Sequence, residues 1–290
     1  MHRLVLHNQS IVDALEPCLA PGQVGLMTGW GVFSTLRVRD GVLFAWDRHV
    51  ARMRRDAQLL HIPFPDNPDE LHADLLRLIE ANNALNSTLR VNIVRNNGGA
   101  FHAPTPRTYD VIAFTADLAD WGESVRLGVV PQARHAQNVY AGTKVTSWAF
   151  NLTWYEKAHE DGYDEVLLLD ETGYVSECTS ANIFAVFGYE VRTPPLTCGC
   201  LPGITRELLL TEIDTSPYVV REQAVTLADL EIADSVFITS TTRDLLPVAS
   251  IEGLAIRQSR TVIDPLLTRF RDYQAAWVKA HSPATAPALG

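Results

Sequence analysis

The segment Glu177–Phe184, with the sequence Glu-Cys-Thr-Ser-Ala-Asn-Ile-Phe, decides how the second half of the chain is organised. It begins with a carboxylate and leads into an apolar run that predicts a buried strand over 181–187. A carboxylate beside a buried strand is costly unless a partner satisfies it. Glu177 therefore either caps a turn or holds a proton on a ring nitrogen of a bound group.

Two polar segments follow that strand along the chain. Leu201–Arg206, with the sequence Leu-Pro-Gly-Ile-Thr-Arg, opens a helix predicted over 203–213, and free N–H groups at a helix start can bind an anion. Thr239–Thr242, with the sequence Thr-Ser-Thr-Thr, follows a strand predicted over 235–239. These hydroxyls either contact a phosphate or form a hydroxyl-rich turn. An ordinary helix start binds only water and capping groups, so each segment keeps both interpretations.

Lysine is scarce in this chain, which has only three lysines among 24 basic residues. Lys144 lies in Ala-Gly-Thr-Lys-Val-Thr-Ser-Trp, where a loop meets a predicted helix over 148–161. Small and apolar neighbours can desolvate its amine, and desolvation lowers a lysine pKa and makes the amine nucleophilic. Lys157 is typical of a solvated helix face, and Lys279 lies close to the C-terminal tail. Lys144 is the candidate for lysine chemistry, although a surface lysine packed along its stem fits the same pattern.

The chain is predicted to be a mixed α/β (α+β) protein of two units. Strands are predicted over 32–38, 42–45, 89–94, 110–114, 125–130, 165–169, 181–187 and 235–239, and further helices over 48–60, 69–81 and 264–281. Since strands and helices do not alternate regularly, a doubly wound sheet is not expected. The predicted organisation is an N-terminal α/β domain over 1–115, a linker over 116–123, a C-terminal domain over 124–281 and a disordered tail over 282–290.

Composition narrows the class of protein. With 47% hydrophobic and 20% charged residues, the chain is expected to be globular, and it has neither a membrane-length apolar run nor a signal-peptide pattern. A net charge of -10 argues against a nucleic-acid partner. Cys198 and Cys200 are too close for ordinary zinc-ligand spacing, so no metal is expected and the four cysteines are predicted to be reduced in a cytoplasmic protein.

Four segments, in matching order and spacing, resemble the signatures of the class IV aminotransferases, which are pyridoxal-phosphate enzymes of fold type IV. They are 29–33 with 49–52 behind it, Lys144, 177–184 and 203–206, and the resemblance extends over roughly residues 3–280. Each segment alone is weak, but unrelated folds would not reproduce all four in register. The resemblance implies a two-domain fold, an active site between the domains, pyridoxal 5′-phosphate as cofactor, and a homodimer in which the neighbouring subunit borders the pocket.

The resemblance also implies a role for each matched residue. Lys144 would be catalytic, since it would form the internal aldimine and then carry a proton between the substrate Cα and the cofactor. Glu177 would pair with the pyridine nitrogen, and Leu201 would pack on one ring face. The cofactor phosphate would be held by Arg52 and by groups of the two polar segments, which gives the remaining cofactor-binding set as Gly203, Ile204, Thr205, Thr241 and Thr242.

The motifs that separate the subgroups of this family conflict. The loop after the 89–94 strand contains His102 but lacks the arginine of the D-amino-acid enzymes, which argues against D-specificity. Arg90 matches an arginine of the branched-chain enzymes, whereas Ser34 and Thr35 resemble the lyases that act on 4-amino-4-deoxychorismate. Arg90 is the main candidate to bind the substrate carboxylate, and a structural ion pair is the equal alternative. Phe33, Trp148 and His102 are candidates to line the side-chain pocket.

Three functional hypotheses follow. The first is an aminotransferase that moves an amino group from an apolar, L-configured amino acid to a 2-oxo acid, with Thr241 and Thr242 helping to bind the substrate carboxylate. The second is a 4-amino-4-deoxychorismate lyase, which would eliminate pyruvate and release 4-aminobenzoate. The third is a non-catalytic phosphate-ligand protein, which the joint presence of Lys144, Glu177 and Arg52 disfavours.

Overall fold

Residues 1–16, 18–100, 102 and 105–282 are described by a computed structural model of the chain, in which they form two β-sheets and seven α-helices. The strands are β1 (Leu4–His7), β2 (Ser10–Asp13), β3 (Gly31–Arg39), β4 (Val42–Leu43), β5 (Ser87–Arg95), β6 (Tyr109–Ala116), β7 (Val125–Arg134), β8 (Glu165–Asp170), β9 (Val175–Cys178), β10 (Asn182–Phe187), β11 (Glu190–Thr193), β12 (Val219–Glu222), β13 (Ser235–Ser240) and β14 (Asp244–Ile251). The helices are α1 (Val24–Thr28), α2 (Trp46–Leu59), α3 (Pro68–Ala81), α4 (Ala149–Glu160), α5 (Ile204–Thr211), α6 (Leu227–Ile232) and α7 (Ile263–His281). This mixed α/β architecture confirms the predicted fold class.

The first sheet has six strands in the order β2-β1-β6-β5-β3-β4, and all its neighbouring pairs are antiparallel. The side chains of β5 alternate between buried and half-buried over most of its length, as expected when one face of a strand is covered. Leu36 and Leu89 of this sheet pack with Leu75 and Leu78 of α3, and all four are fully buried. Each such side chain contributes about 1.5–3 kcal/mol on burial. The core therefore fixes the positions of β3 and β5, which contribute Phe33 and Arg90 to the cavity described below.

The second sheet has eight strands in the order β12-β11-β10-β13-β14-β7-β8-β9. β7 lies in the middle of it and pairs in parallel with both β14 and β8. Every residue of β8 is buried, which agrees with the continuous apolar pattern of this segment. The β8–β9 and β10–β13 pairs are antiparallel. Glu177 lies near the C-terminal end of β9 and Thr239 near that of β13, and both residues line the same cavity.

The two sheets pack together through the corner that joins β4 to α2. Phe44 at this corner meets Phe270 and Trp277 of α7 edge-on, with ring centroids 6.0 Å apart in each case. The next residue, Ala45, has a φ of 53° and caps the start of α2. The predicted strand over 42–45 therefore ends at Leu43, because the chain takes a left-handed turn there. Asp47 lies in the first turn of α2, where its negative charge is favourable at a helix N-terminus.

The chain passes from the first sheet to the second between Ala116 and Val125. This stretch coincides with the predicted linker, although the division into domains that fold separately stays a prediction. No helix in the described ranges is long and apolar enough to cross a membrane. Most of the predicted tail, 283–290, lies outside the described residues.

Candidate active site

A cavity of about 1000 Å³ lies where the two sheets meet. Residues of the first sheet, such as Phe33 and Arg90, form one part of its wall, and Glu177 and Thr239 of the second sheet form another. Twelve of the thirteen residues that the sequence nominated line it, namely Phe33, Arg52, Arg90, Lys144, Trp148, Glu177, Leu201, Gly203, Ile204, Thr205, Thr241 and Thr242. The folded chain thus gathers into one place residues that are separated by more than two hundred positions.

Lys144 projects its amine into this cavity, and both of its backbone polar groups are hydrogen-bonded. Its carbonyl accepts a hydrogen bond from the N–H of Phe33 at 3.0 Å, and its own N–H donates to Oδ2 of Asp56 at 3.0 Å. The Nζ atom lies 4.6 Å from the centre of the Phe33 ring. Burial, followed by the positive charge of Arg52, lowers the pKa of Lys144 to about 7, although Glu177 opposes the shift. A large fraction of this amine is therefore neutral, and so nucleophilic, near pH 7.

Glu177 is a buried carboxylate with a donor on each oxygen. Oε1 accepts from Nε of Arg134 at 3.1 Å, and Oε2 accepts from the N–H of Leu201 at 3.0 Å. The side chain of Arg134 is held in turn by Oδ1 of Asn151 at 3.3 Å. These contacts fix the carboxylate in the cavity wall, where it can face a protonated ring nitrogen.

Arg52 forms the cationic corner of the cavity. It is 8% exposed, and its Nη2 donates to Oγ of Ser34 at 3.0 Å, while its Nη1 donates to the carbonyl of Pro202 at 3.2 Å. Ser34 is also hydrogen-bonded to Nδ1 of the fully buried His49 at 2.7 Å. Burial lowers the pKa of Arg52 to about 10, so the guanidinium stays charged at neutral pH. Its Nε is buried with no hydrogen-bond partner among the described residues.

The start of α5 adds backbone donors beside Arg52. Gly203 is the residue before the helix, and no side chain caps the first turn. A Cβ on Gly203 would lie 2.0 Å from Oδ1 of Asn182, whose amide donates to the carbonyl of Leu201 at 2.8 Å. The glycine therefore lets the chain pass against Asn182 and leaves the N–H groups of Ile204 and Thr205 directed at the cavity wall, a typical anion-binding arrangement.

The turn between β13 and β14 brings Thr241 and Thr242 to the cavity. Arg37 of β3 donates to the carbonyl of Thr242 at 3.1 Å and so links the first sheet to this turn. The following residue, Arg243, is paired with the fully buried Glu165 at 3.3 Å, and its guanidinium lies 3.8 Å from the centre of the Trp121 ring. Trp121, from the predicted linker, thereby becomes part of the cavity wall.

Arg90 and two aromatic rings form another part of the cavity wall. The Arg90 guanidinium stacks 3.7 Å from the centre of the Phe33 ring, which meets Trp148 edge-on at 6.0 Å. Nε of Arg90 donates to Oδ1 of Asn92 at 3.2 Å, and no carboxylate of the described residues forms an ion pair with it. Burial lowers its pKa, as expected for a cation without a counter-ion. Among the described residues, Arg90 therefore has no ion pair of the kind that its alternative interpretation expects, and its role as a carboxylate-binding residue stays a prediction.

His102 is the one nominated residue that the cavity does not include. It is exposed on the loop after β5, and it does not line the cavity in this single chain. Its assignment to the substrate pocket stays a prediction.

This arrangement fits a phosphorylated pyridine aldehyde. Arg52 has an orphaned buried donor, and the uncapped start of α5 adds N–H groups, so the corner suits a phosphate. The carboxylate of Glu177 suits a pyridine nitrogen, and the largely neutral amine of Lys144 suits an aldehyde. In the part of the chain that the structure describes, no group of three or more His, Cys, Asp or Glu side chains is placed to bind a metal ion.

The sequence model of the family described as amino-transferase class IV matches residues 31–251, which is most of the chain. The chain belongs to this family. Class IV aminotransferases use pyridoxal 5′-phosphate, so the cofactor predicted from the sequence is confirmed for this class IV protein.

Characterised relatives of this class IV protein fall into more than one subgroup. It is 30% identical to a D-alanine aminotransferase of Bacillus licheniformis over 87% of this chain and 89% of that one. It is 29% identical to a branched-chain-amino-acid aminotransferase of Escherichia coli K12 over 80% of this chain and 79% of that one. The fold also matches a crystal structure from Legionella pneumophila, provisionally described as a 4-amino-4-deoxychorismate lyase, with a TM-score of 0.82 at 23% identity over 89% of this chain and 96% of that one.

Several residues that shape the site of this class IV protein were not found from the sequence. Arg134, Asn182 and Asp56 each contact a nominated residue, and each comes from a different element. Two of them left a signal in the sequence, since Asn182 lies within the 177–184 motif and Asp56 lies one helical turn after Arg52 on a predicted helix. A buried carboxylate at that spacing indicates a partner in the core.

Proposed function

We propose that this class IV enzyme is an aminotransferase that transfers the amino group of an apolar L-amino acid to a 2-oxo acid. The observation that carries the proposal is the surroundings of the Lys144 amine, which lies near a pair of aromatic rings and an unpaired arginine within one cavity. An apolar side chain would pack on Phe33 and Trp148, while a carboxylate would be bound by a guanidinium.

Pyridoxal 5′-phosphate, when bound, supplies a carbonyl that can exchange an amino group and a ring that accepts electrons. Lys144 would hold the cofactor carbonyl carbon through Nζ, and its amine, once the substrate amino group has displaced it, would take the proton from the substrate Cα. Glu177 keeps the proton on the pyridine nitrogen, because its carboxylate is fixed by Arg134 and by the N–H of Leu201. Arg52 and the first turn of α5 hold the phosphate.

The remaining polar groups orient the substrate. Arg90 binds a substrate carboxylate, and the Thr241–Thr242 turn, which lines the same cavity, contributes to carboxylate binding. L-selectivity is supported by the Asn96–His102 loop, which lacks the arginine that its D-specific relatives use.

A lyase that eliminates pyruvate from 4-amino-4-deoxychorismate is the second candidate. The unpaired charge of Arg90 favours it, because that substrate has two carboxylates, one of which could remain at Arg90 during the reaction. Both candidates need Lys144, Glu177 and Arg52, so these residues do not separate them.

The test is a titration of the holoenzyme with a panel of L- and D-amino acids in the absence of any 2-oxo acid. Conversion of the lysine-bound cofactor band into the amine-form band by apolar L-amino acids supports the aminotransferase. Conversion by D-amino acids alone contradicts the proposed chirality. If no amino acid changes the spectrum and 4-amino-4-deoxychorismate yields pyruvate, the lyase replaces it.

We also propose a homodimer. One rim of the cavity consists of exposed apolar side chains, since Tyr140 is 49% exposed, Phe150 is 83% exposed and Leu152 is 48% exposed. A second copy of the chain that covered this rim would bury them and close the pocket. Sedimentation of the wild-type protein and of Phe150→Glu tests this, because the variant should sediment as a monomer, and a wild-type monomer would contradict the proposal.

A cytoplasmic location is proposed as well. It is supported by the four cysteines, which are all free in the structure, as is usual in a reducing compartment. Fractionation of cells that produce the protein, with an antibody against it, tests this directly.

A further inference from the structure

One face of α2 carries three buried polar residues at helical spacing. His49 and Asp56 are fully buried and Arg52 is 8% exposed. Residues three and four positions apart lie on the same side of a helix, so these three side chains point together into the region behind the cavity. His49 contacts Ser34, and Arg52 reaches the cavity, which leaves the buried carboxylate of Asp56 to be explained.

Asp56 is bonded to the main chain of Lys144. Its Oδ2 accepts the Lys144 N–H at 3.0 Å, and its Oδ1 accepts from Nε of Arg55 at 2.9 Å. Arg55 also donates to the carbonyl of Gly142 at 3.3 Å, two residues before the lysine. The segment that leads into Lys144 is therefore attached to α2 at two points.

The other side of the lysine segment is attached to β3. The N–H of Phe33 donates to the carbonyl of Lys144 at 3.0 Å, and the N–H of Thr146 donates to the carbonyl of Gly31 at 3.0 Å. The Lys144 peptide groups are thus held on the N–H side by Asp56 and on the carbonyl side by β3. Residues 138–143, which precede Lys144, belong to no helix or strand. The carboxylate of Asp56 therefore provides the Lys144 N–H with the acceptor that a carbonyl group would provide in a helix or strand.

We infer that Asp56 is a positioning residue for Lys144, which it holds at a fixed place relative to Arg52 and to which it supplies a compensating negative charge. The inference rests on the proposed role of Lys144 as the residue that binds the cofactor. Because Arg52 and Asp56 are one helical turn apart, a single rigid element sets the distance between the phosphate corner and the reactive amine.

The charge of Asp56 is one of several that influence the pKa of Lys144. Arg52 of α2 and Arg90 of β5 lower the pKa of Lys144, whereas Glu177 of β9 and Asp56 raise it, and burial is the largest influence. Removing the charge of Asp56 therefore lowers the pKa of Lys144 further and moves the pH at which the neutral amine appears to lower values.

Two substitutions separate position from charge. Asp56→Leu fills the same space without an acceptor, whereas Asp56→Asn keeps an oxygen that can accept the Lys144 N–H. Asp47→Asn is the matched control, since it removes an acid from an exposed position in the first turn of the same helix. The apo-proteins are loaded with pyridoxal 5′-phosphate over a range of pH and reduced with borohydride. The adduct on Lys144 is then measured by peptide mass spectrometry, beside the total bound cofactor and the melting temperature.

We expect Asp56→Leu to reduce the fraction of bound cofactor attached to Lys144 by about tenfold, since an unsatisfied buried N–H displaces the peptide. Asp56→Asn should restore that fraction to near the wild-type value but shift the pH midpoint of attachment downward. Wild-type attachment in a folded Asp56→Leu protein would overturn the inference. If that variant does not fold, Asp56→Asn decides, and an unchanged pH midpoint overturns it. Absence of any adduct in the wild-type protein would instead refute the proposed function itself.

Discussion

The two sides of the cavity are built differently. On the proposed cofactor side, formed by Arg52, Lys144, Glu177 and the start of α5, almost every polar group is held by a second residue, as Glu177 is by Arg134 and Leu201. On the proposed substrate side, formed by Phe33, Arg90, Trp148, Tyr140 and Phe150, Arg90 has no counter-ion among the described residues and the apolar rim is exposed. The first side is preorganised for one ligand, whereas the second is left for ligands that vary.

This difference predicts where substitutions will act. Changes on the cofactor side should abolish a reaction step whatever the substrate, whereas changes on the substrate side should alter which substrate is used.

Lys144→Ala should reduce turnover by at least about a thousandfold, because the residue both attaches the cofactor and transfers a proton. Steady-state assays with the best donor measure the loss, and borohydride reduction should give no adduct at this position. Lys157→Ala, which removes an exposed helix lysine, is the control. Turnover in Lys144→Ala within tenfold of wild type would refute the assignment.

Arg52→Met should weaken cofactor binding by about 10- to 100-fold, since a charge-assisted contact with the phosphate is lost. Equilibrium dialysis with pyridoxal 5′-phosphate measures this, and pyridoxal without the phosphate should bind both proteins equally. Arg54→Ala, exposed on the same helix, should leave binding unchanged. Equal loss of affinity for both ligands would place the phosphate elsewhere.

Glu177→Gln should retain the cofactor but slow proton removal from the substrate Cα by roughly 10-fold or more, because a neutral amide no longer stabilises a protonated ring nitrogen. Single-turnover absorbance measurements follow this step directly. Rates that match the wild type in this variant would remove Glu177 from the proposed scheme.

Arg90→Gln should raise KM by about tenfold for substrates that place a carboxylate there, with a smaller change in kcat. The effect should differ among donors, unlike the effects of the three preceding substitutions. A uniform loss of kcat with unchanged KM would indicate that Arg90 acts on the cofactor and does not bind the substrate carboxylate.

The rate of cofactor attachment should rise with pH through a midpoint near 7. The pKa of Lys144 is lowered to about 7, so below that pH the amine is protonated and unreactive, and above it the neutral amine predominates. Stopped-flow absorbance of the apo-protein mixed with pyridoxal 5′-phosphate gives the profile, and over one pH unit the change should not exceed about tenfold. A midpoint close to 10 would show that the amine is not desolvated in solution.

All residues that the sequence nominated for the cofactor line the cavity, whereas one of those nominated for the substrate, His102, does not. Lys144 was identifiable from the scarcity of lysine, and 177–184 and 203–206 were identifiable because each acts through its own local chain geometry. Arg134 was missed, because a partner on another strand leaves no mark in the spacing of the sequence, and Asn182, although it lies within 177–184, was given no role of its own. His102 lies outside the cavity of the single chain, where sequence spacing alone does not specify position.

The agreement between predicted and observed helices and strands also differed from one part of the chain to another. The predicted helix over 264–281 agrees closely with α7, because its apolar periodicity extends over many residues. The four-residue strands β1, β2, β9, β11 and β12 were missed, since such strands are stabilised by their neighbours more than by their own pattern, and the longer strand β14 was missed as well. The predicted strand over 42–45 ended early, where a left-handed Ala45 reverses the chain.

The close approach of Gly203 to Asn182 limits which substitutions these two positions can accept during evolution. The φ of Gly203 is −69°, so its backbone would accept any residue, and only the Asn182 oxygen 2.0 Å from the missing Cβ requires glycine. The two positions should therefore vary together. A smaller residue at 182 would permit a side chain at 203 but would remove the hydrogen bond to the carbonyl of Leu201. A single substitution at either position would therefore disturb the cationic corner of the cavity.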